Sequence, residues 1–324
     1  MYSIQELQER IQKELEELSF DKQPVELYEP INYSLSLGGK RIRPLLMLLG
    51  CDLFGGDIKN AIKPALGIEV FHNFTLLHDD IMDKAPLRRS KPTVHHKWNQ
   101  DVAILSGDAM LIEAYRLIMQ VDNSLLRRVL EIFNETAILV CEGQQWDMNY
   151  ETNKEVSIPD YLEMISLKTA VLLAASLQIG ALIAGANEKE AQLIYEYGEN
   201  LGIAFQLQDD ILDVYGDKDK FGKQVGGDII SNKKTYLLLK AYELAKGENL
   251  VFLDNWINKT EFNPVEKVEA VVSIFNTLNV KDEAKSEMQA FYNKAMDVFS
   301  ALNISKDKKT VIATFADSLI RREI

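Results

Sequence analysis

Residues 58–83, IKNAIKPALGIEVFHNFTLLHDDIMD, run apolar for most of their length and close on aspartates at 79, 80 and 83. The apolar positions recur at helical spacing, not in the strict alternation of a half-buried strand, so the segment predicts one long helix. The same period extends in both directions. Ser3, followed by Glu6, makes a capping box, and Ile4, Leu7, Ile11, Leu15 and Leu18 form one apolar stripe behind it. Pro24 and Pro30 are expected to break the next region into short pieces before Gly38-Gly39. Arg41–Phe54 predicts an apolar helix stopped by Gly55-Gly56. Downstream, helices are expected at about 101–121, 124–150, 159–184, 188–216, 234–246, 264–278, 281–301 and 306–322, with Ser157 capping the third of these and Pro159 in its first turn. A loop of proline and basic residues, Pro86–Pro92, follows the aspartates. Bounded runs of alternating β-branched residues are missing, so no sheet is expected. There is no Gly/Ser-rich linker and no repeat at solenoid period, and the reading is a single all-α domain over 1–324.

The chain has 324 residues, 47% hydrophobic and 26% charged, enough apolar material for a large core. Its net charge of −13 excludes general nucleic-acid binding, which needs a basic face. An acidic protein that handles an anionic ligand must gather positive charge locally or use metal ions. Only Cys51 and Cys141 are present, so no disulfide framework is implied; a reducing compartment, and hence a cytoplasmic location, is expected. The charged, helical N-terminus does not read as a secretory signal. Thr169–Ala186 carries no charge over 18 residues, the lower limit for a bilayer span. Gln178, two glycines and the lack of a second such stretch favour a buried bundle helix, so no integral membrane protein is expected.

Asp79 and Asp83 stand four apart, as do Asp209 and Asp213 at the end of LGIAFQLQDDILD (201–213). On a helix that spacing puts both carboxylates on one face, roughly 5–6 Å apart, at a cost of a few tenths of a kcal/mol. Burial at the end of an apolar run raises that cost, so a countercharge is called for. Mg²⁺ suits, since it takes one or two carboxylates together with phosphate oxygens and water; the glycine and ligand spacing of a calcium-binding EF-hand loop is absent. A single DD-x-x-D is as often a solvated helix end as a site. Two copies, each ending an apolar helix, favour a site. Positive charge is grouped too. GGKRIRP (38–44) sets Lys40, Arg41 and Arg43 at a glycine turn entering a helix, a good place for an anion, and Arg88, Arg89 and Lys91 follow the first cluster. Either patch alone could be plain ion pairing. With two carboxylate clusters, the set fits two phosphate-bearing ligands, one held through metal and one directly by Lys and Arg. Neither a Walker loop nor a dinucleotide fingerprint is present.

In order, GGKRIRP (38–44), HDDIMDKAPLRRSKPTVH (78–95), GQQWD (143–147), LKTA (167–170) and FQLQDDILD (205–213) resemble the landmarks of the trans-isoprenyl diphosphate synthase, or polyprenyl synthetase, family of short-chain type. The resemblance implies an isoprenoid-synthase-type bundle of roughly ten or more helices around a deep central cavity, with the aspartate clusters facing each other, in a homodimer. It implies Mg²⁺, three ions with bound diphosphate. Asp79, Asp83 and Asp209 would be the principal ligands, and Asp80, Asp210 and Asp213 would bind metal-bound waters or orient the others. Arg88 would meet the allylic diphosphate (dimethylallyl, geranyl or farnesyl). Lys40, Arg43, His72 and Arg89 would hold isopentenyl diphosphate without metal. Lys168, Thr169, Gln206 and Lys223 match residues at the reacting end, with Gln144 and Asp147, and Lys233 matches a lysine at the diphosphate mouth. Ser90 departs from the glycine usual in the family and puts the detail of that loop in question.

Plainer readings exist for several of these. His72 on an apolar helix could be a satisfied core histidine, and adjacent His95-His96 do not share a helix face. Lys168 could snorkel to solvent. Trp146, Phe205 and Phe221 read as core. Chemically, the residue types suit ionisation of an allylic diphosphate: countercharge stabilises the leaving group, and the double bond of isopentenyl diphosphate attacks the cation. Lys168, the Thr169 oxygen and the Gln206 carbonyl would border that cation, and the proton would leave to the departing diphosphate, which fits the lack of a dedicated base. Chain length is expected to depend on residues one to two turns before Asp79. Phe74 lies five before it, Thr75 four and Phe71 eight, with no insertion in the cluster. That arrangement resembles geranylgeranyl diphosphate synthases, with farnesyl diphosphate the alternative product. A class I terpene cyclase would carry an Asn/Ser/Glu triad in place of DDILD and lack GGKR. A non-catalytic partner subunit would have lost aspartates, and all six are present.

Overall fold

The computed structural model describes residues 2–153, 155–216 and 226–321. In chain order the helices are α1 Ile4–Glu16, α2 Val25–Ser36, α3 Ile42–Leu53, α4 Lys59–Met82, α5 Val94–Lys97, α6 Gln100–Ile118, α7 Asn123–Thr152, α8 Ile158–Ile165, a π turn Ser166–Ala170, α9 Val171–Ile183 and α10 Glu188–Tyr215. After them come α11 Gly227–Ile230, α12 Tyr236–Leu244, α13 Glu248–Ile257, α14 Pro264–Thr277, α15 Val280–Ser300 and α16 Lys306–Ile320. The all-α expectation holds. The Ser3 capping box forms, and Ser157, expected only as a cap, makes one too: the Ser3 and Ser157 hydroxyls accept from the amides of Glu6 and Asp160, whose carboxylates reach back.

Several expectations need correction. Pro30 does not break α2 but lies inside it, buried beside Ile31, so packing of the apolar face outweighs the missing hydrogen bond. The loop after the first aspartates contains a minimal hairpin, β1 Leu87–Arg88 paired antiparallel with β2 Lys91–Pro92. α13 was not foreseen, and the helix expected over 159–184 is interrupted by the π turn. Trp146 is 46% exposed, not core, while Phe205 is half-buried; Phe221 lies outside the described residues.

The chain packs as two compact units. One comprises Met1–Glu135, Ala175–Tyr195 and Leu302–Ile312; the other, Thr136–Ala174, Glu196–Ala301 and Ala313–Ile324. In the first, α4 is buried nearly all round through its middle, from Ala61 to Phe71. Gly67 is what lets α6 come so near, since a Cβ there would stand 2.6 Å from Ile118 Cγ1 and 2.9 Å from Ala114 O. α3 and α9 approach through Gly50 and Gly180, where added Cβ atoms would lie 2.5 Å from Leu177 O and 2.0 Å from Met47 O. The second unit is built on α10, α14 and α15, with Tyr197 stacked on Phe299 at 4.6 Å and Val271, Phe275 and Ala284 buried. Among the described residues one continuous helical stretch, Ile158–Ile183, is long and apolar enough to cross a membrane. However, 78% of its apolar window is buried inside the protein, as expected of a core helix.

Candidate active site

In the first unit α4 delivers Asp79 and Asp80 in its last turn and Asp83 as its C-cap. Arg88, on β1, forks onto Asp80: Nε donates to Oδ1 and Oδ2 at 2.9 and 2.8 Å, and Nη2 lies 2.7 Å from Oδ1 and 3.7 Å from Asp79 Oδ2. Burial pushes the Asp80 carboxyl up, the Arg88 guanidinium opposes this, and Asp79 adds to it. The hairpin turns on Arg89 and Ser90 at φ 53° and 62°, the geometry of a two-residue turn with both central residues left-handed. The family's usual glycine would be unstrained at Ser90. Ser90→Gly is therefore expected to stabilise the protein by about 0.5 kcal/mol, relief of left-handed strain exceeding the extra chain entropy of glycine. Urea melts of the two proteins check it.

Two turns before Asp79, His72 takes a hydrogen bond at its Nε2 from Arg43 Nη1 at 3.0 Å. A guanidinium can only donate, so the imidazole is neutral with its proton on Nδ1. Burial first, then the charges of Arg43, Arg89, Arg88 and Arg41, hold His72 well below the usual histidine range. The exposed Arg89 donates to Gly38 O and packs against Gly39, tying the hairpin to the glycine turn that carries Lys40. Arg41 differs from Arg43. It is the left-handed N-cap of α3 (φ 48°) and bonds inward, Nη1 to Glu69 Oε1 and Nη2 to Leu35 O, both at 2.5 Å. Asn73 Nδ2 donates to the same Glu69 oxygen at 2.9 Å. The sequence did not single out Glu69 or Asn73; a buried acid on an apolar helix near a basic motif was the available signal.

Before the aspartates, Phe74 packs edge-on against His78 (4.8 Å between centroids) and beside Phe71 (5.6 Å), which in turn meets Phe133. Phe71 is buried, and Phe74 and Thr75 are half-buried. His78 is held back by its Nε2 contact with Ile104 O at 3.2 Å.

In the second unit α10 presents Glu199, Gly202, Gln206, Asp210 and Asp213 along one face. Tyr161 on α8 donates its hydroxyl to Asp210 Oδ2, Gln206 Nε2 donates to Asp210 Oδ1 at 3.0 Å, and Thr169 Oγ1 donates to Gln206 Oε1 at 3.2 Å. Burial and the nearby Asp228 raise the Asp210 carboxyl well above the ordinary carboxylate range despite the Tyr161, Gln206 and Lys233 contacts. Asp213 accepts from the Asp228 amide at 3.0 Å. On α7, Asp147 takes Lys168 Nζ at 2.5 Å and lies 3.8 Å from Lys233 Nζ. Burial alone would raise its carboxyl; the Lys233 and Lys168 charges overcome this and hold it low. Gln144, one turn before Asp147, is half-buried. Tyr161 and Asp228 were not foreseen. Lys223 lies outside the described residues.

No three carboxylate, histidine or cysteine groups form a ready metal cage among the described residues. The oxygen donors nevertheless fit Mg²⁺, which needs only one or two carboxylates when phosphate oxygens and water complete its shell. Burial raises the carboxyls of Asp80 and Asp210, a cost that a bound cation would relieve.

Two long helices thus end on aspartate clusters, with arginines near a neutral histidine, in a scaffold that is helical but for one short hairpin. The chain belongs to the polyprenyl synthetase family, which it matches over residues 24–275. It is 40% identical to the geranylgeranyl diphosphate synthase of Sulfolobus acidocaldarius over 87% of this chain and 86% of that one. It is 35% identical to that of Methanosarcina mazei over 95% and 94%. A crystal structure of a geranylgeranyl pyrophosphate synthase superposes over 100% of both chains with a TM-score of 0.95 at 45% identity.

Proposed function

We propose that the protein is a Mg²⁺-dependent prenyltransferase that condenses isopentenyl diphosphate with an allylic diphosphate and releases diphosphate, with geranylgeranyl diphosphate as product. The observation that carries this reading is the grouping on α4 and its neighbours: a carboxylate cluster with Arg88, and two turns away a neutral histidine bonded to Arg43, with Arg89 tied to the glycine turn beside Lys40. These are two distinct anion sites, one suited to a metal-bound diphosphate and one to a diphosphate held by cations alone. Asp79, Asp83 and Asp209 would hold the metal, with Asp80, Asp210 and Asp213 orienting them. Bound Mg²⁺ would supply countercharge to the leaving diphosphate. Lys40, Arg43, His72 and Arg89 hold isopentenyl diphosphate. Arg88 steadies the allylic diphosphate, and Gln144 lines the reacting end. Lys168, the Thr169 oxygen and the Gln206 carbonyl border the allylic cation and exclude water, while Asp147 balances the charge of Lys168 and Lys233. The departing diphosphate accepts the final proton. The whole chain, 1–324, acts as one cytoplasmic synthase domain.

The test is purified protein with labelled isopentenyl diphosphate and dimethylallyl, geranyl or farnesyl diphosphate, with MgCl₂ or EDTA. Geranylgeranyl diphosphate only with MgCl₂ is expected; no prenyl product from any primer overturns the reading. Product length rests on Phe74. Phe74→Ala should lengthen the main product by one or more isoprene units, read by chromatography, and an unchanged distribution would remove Phe74 from that role.

A homodimer is proposed on α6, where Leu105, Ile112 and the C-cap Met119 recur every seventh residue and are 60%, 62% and 48% exposed, an apolar stripe suited to pairing with its own copy. Sedimentation should give twice 36.8 kDa, falling to the monomer for Leu105→Glu/Ile112→Glu; a parent protein that sediments as a monomer would refute it.

A further inference from the structure

Lys168 and Thr169 do not sit on an ordinary helix. They occupy the π turn Ser166–Ala170, where the Val171 amide bonds back to Ser166 O. Such a widened turn is intrinsically unfavourable within an α-helix and persists only where surroundings hold it. Here two glycines, on two different helices, do so. A Cβ on Gly143 of α7 would stand 2.3 Å from Lys168 N and 2.7 Å from its Cα. A Cβ on Gly202 of α10 would stand 2.7 Å from both Cα and Cβ of Ala170. Each helix also binds a side chain of the turn from a residue one turn further along. Asp147, four after Gly143, takes the Lys168 ammonium, and Gln206, four after Gly202, accepts from Thr169 Oγ1. Ser166 Oγ adds a 2.9 Å bond to Glu199 on α10.

We infer that Gly143 and Gly202 are positioning residues that clasp the π turn so that the adjacent Lys168 and Thr169 address two different helices at once. In a regular α-helix pressed between bulkier neighbours, the turn would stand off from α7 and α10, and the Lys168–Asp147 and Thr169–Gln206 bonds could not both form. Contact through backbone atoms explains why alanine is already too large. The inference rests on the reading that Lys168 and Thr169 border the reacting centre.

The experiment is a double-mutant cycle on the full-length enzyme. Gly143→Ala is expected to lower kcat about 30-fold with the KM for isopentenyl diphosphate within about twofold, since that substrate is assigned to residues of the other unit. Lys168→Met should lower kcat further, and the double variant should be no slower than Lys168→Met alone, because both act through one group. Gly180→Ala, at the equally tight α3–α9 crossing, is the control: its melting temperature should fall while kcat per folded enzyme stays. Additive losses in the cycle, or a kcat loss for Gly180→Ala like that for Gly143→Ala, would make the clasp merely structural and overturn the inference. Full activity of Lys168→Met would overturn the role of Lys168 and the inference with it. If Gly143→Ala does not fold, Gly202→Ala with Thr169→Val decides by the same non-additivity.

Discussion

Asp79→Asn is expected to lower kcat about 10³-fold, roughly 4 kcal/mol of transition-state stabilisation, while shifting the melting temperature by less than about 2 °C. The two effects separate because Asp79 contributes little to the ligand-free fold. It shares a helix face with Asp83, a repulsion of a few tenths of a kcal/mol, and its 3.7 Å contact with Arg88 is much weaker than the fork Arg88 makes on Asp80. On the proposed role, what the asparagine removes is one hard anionic oxygen donor for Mg²⁺. Linkage gives a second readout that needs no turnover. Mg²⁺ with inorganic diphosphate at a hundred times its dissociation constant should stabilise the parent by about 2.7 kcal/mol and the variant by far less. An Asp79→Asn protein that retains activity, or one that gains as much stability from Mg²⁺ and diphosphate as the parent, would remove Asp79 from the metal site.

That separation of roles was only partly legible beforehand. The long helix to Asp83, the glycine stop after α3, the Ser3 capping box and the Ser157 cap follow from local chemistry that repeats wherever it occurs, and the sequence displays them. The π turn does not show in the same way. Residues 159–184 are apolar on both sides of Lys168, so a one-residue widening leaves no trace in the period, and only close approach by Gly143 and Gly202 reveals what holds it. α13 was missed because ten residues between Gly247 and Asn258 are too few for the period to speak. Trp146 reads as core, yet it lies on the exposed side of α7, whose buried side carries Gly143. Tyr161, Asp228 and Glu69 escaped notice because a polar residue's partner is set by tertiary packing. In GGKRIRP local chemistry does not distinguish Arg41 from Arg43; the family resemblance picks out Lys40 and Arg43, and the geometry shows the difference, Arg43 meeting His72 while Arg41 turns inward to Glu69.

The fate of Arg41 supports the largest expected loss of stability. Glu69 is 2% exposed, and its carboxylate serves both Arg41 and Asn73. Glu69→Ala would leave a buried guanidinium and a buried amide without that acceptor, which should destabilise the protein by about 3–5 kcal/mol, or roughly 10 °C in melting temperature. The damage should reach the substrate site, because Arg41 is also the left-handed N-cap of α3, a conformation that costs an ordinary residue about 1–2 kcal/mol and is maintained by the anchored side chain. Released from Glu69, the turn bearing Gly38, Gly39 and Lys40 loses its anchor, and the KM for isopentenyl diphosphate should rise about tenfold, equivalent to 1.4 kcal/mol of lost binding. Arg41→Met/Glu69→Leu separates the two consequences. Removing both charges should restore most of the stability, since an apolar pair can replace a buried ion pair at little cost. It should not restore the KM, because methionine cannot bond Leu35 O or hold the left-handed cap. A Glu69→Ala protein as stable as the parent would show that the Arg41 charge is not confined where the structure puts it. A double variant with parental KM would show that the turn is set by the glycines alone.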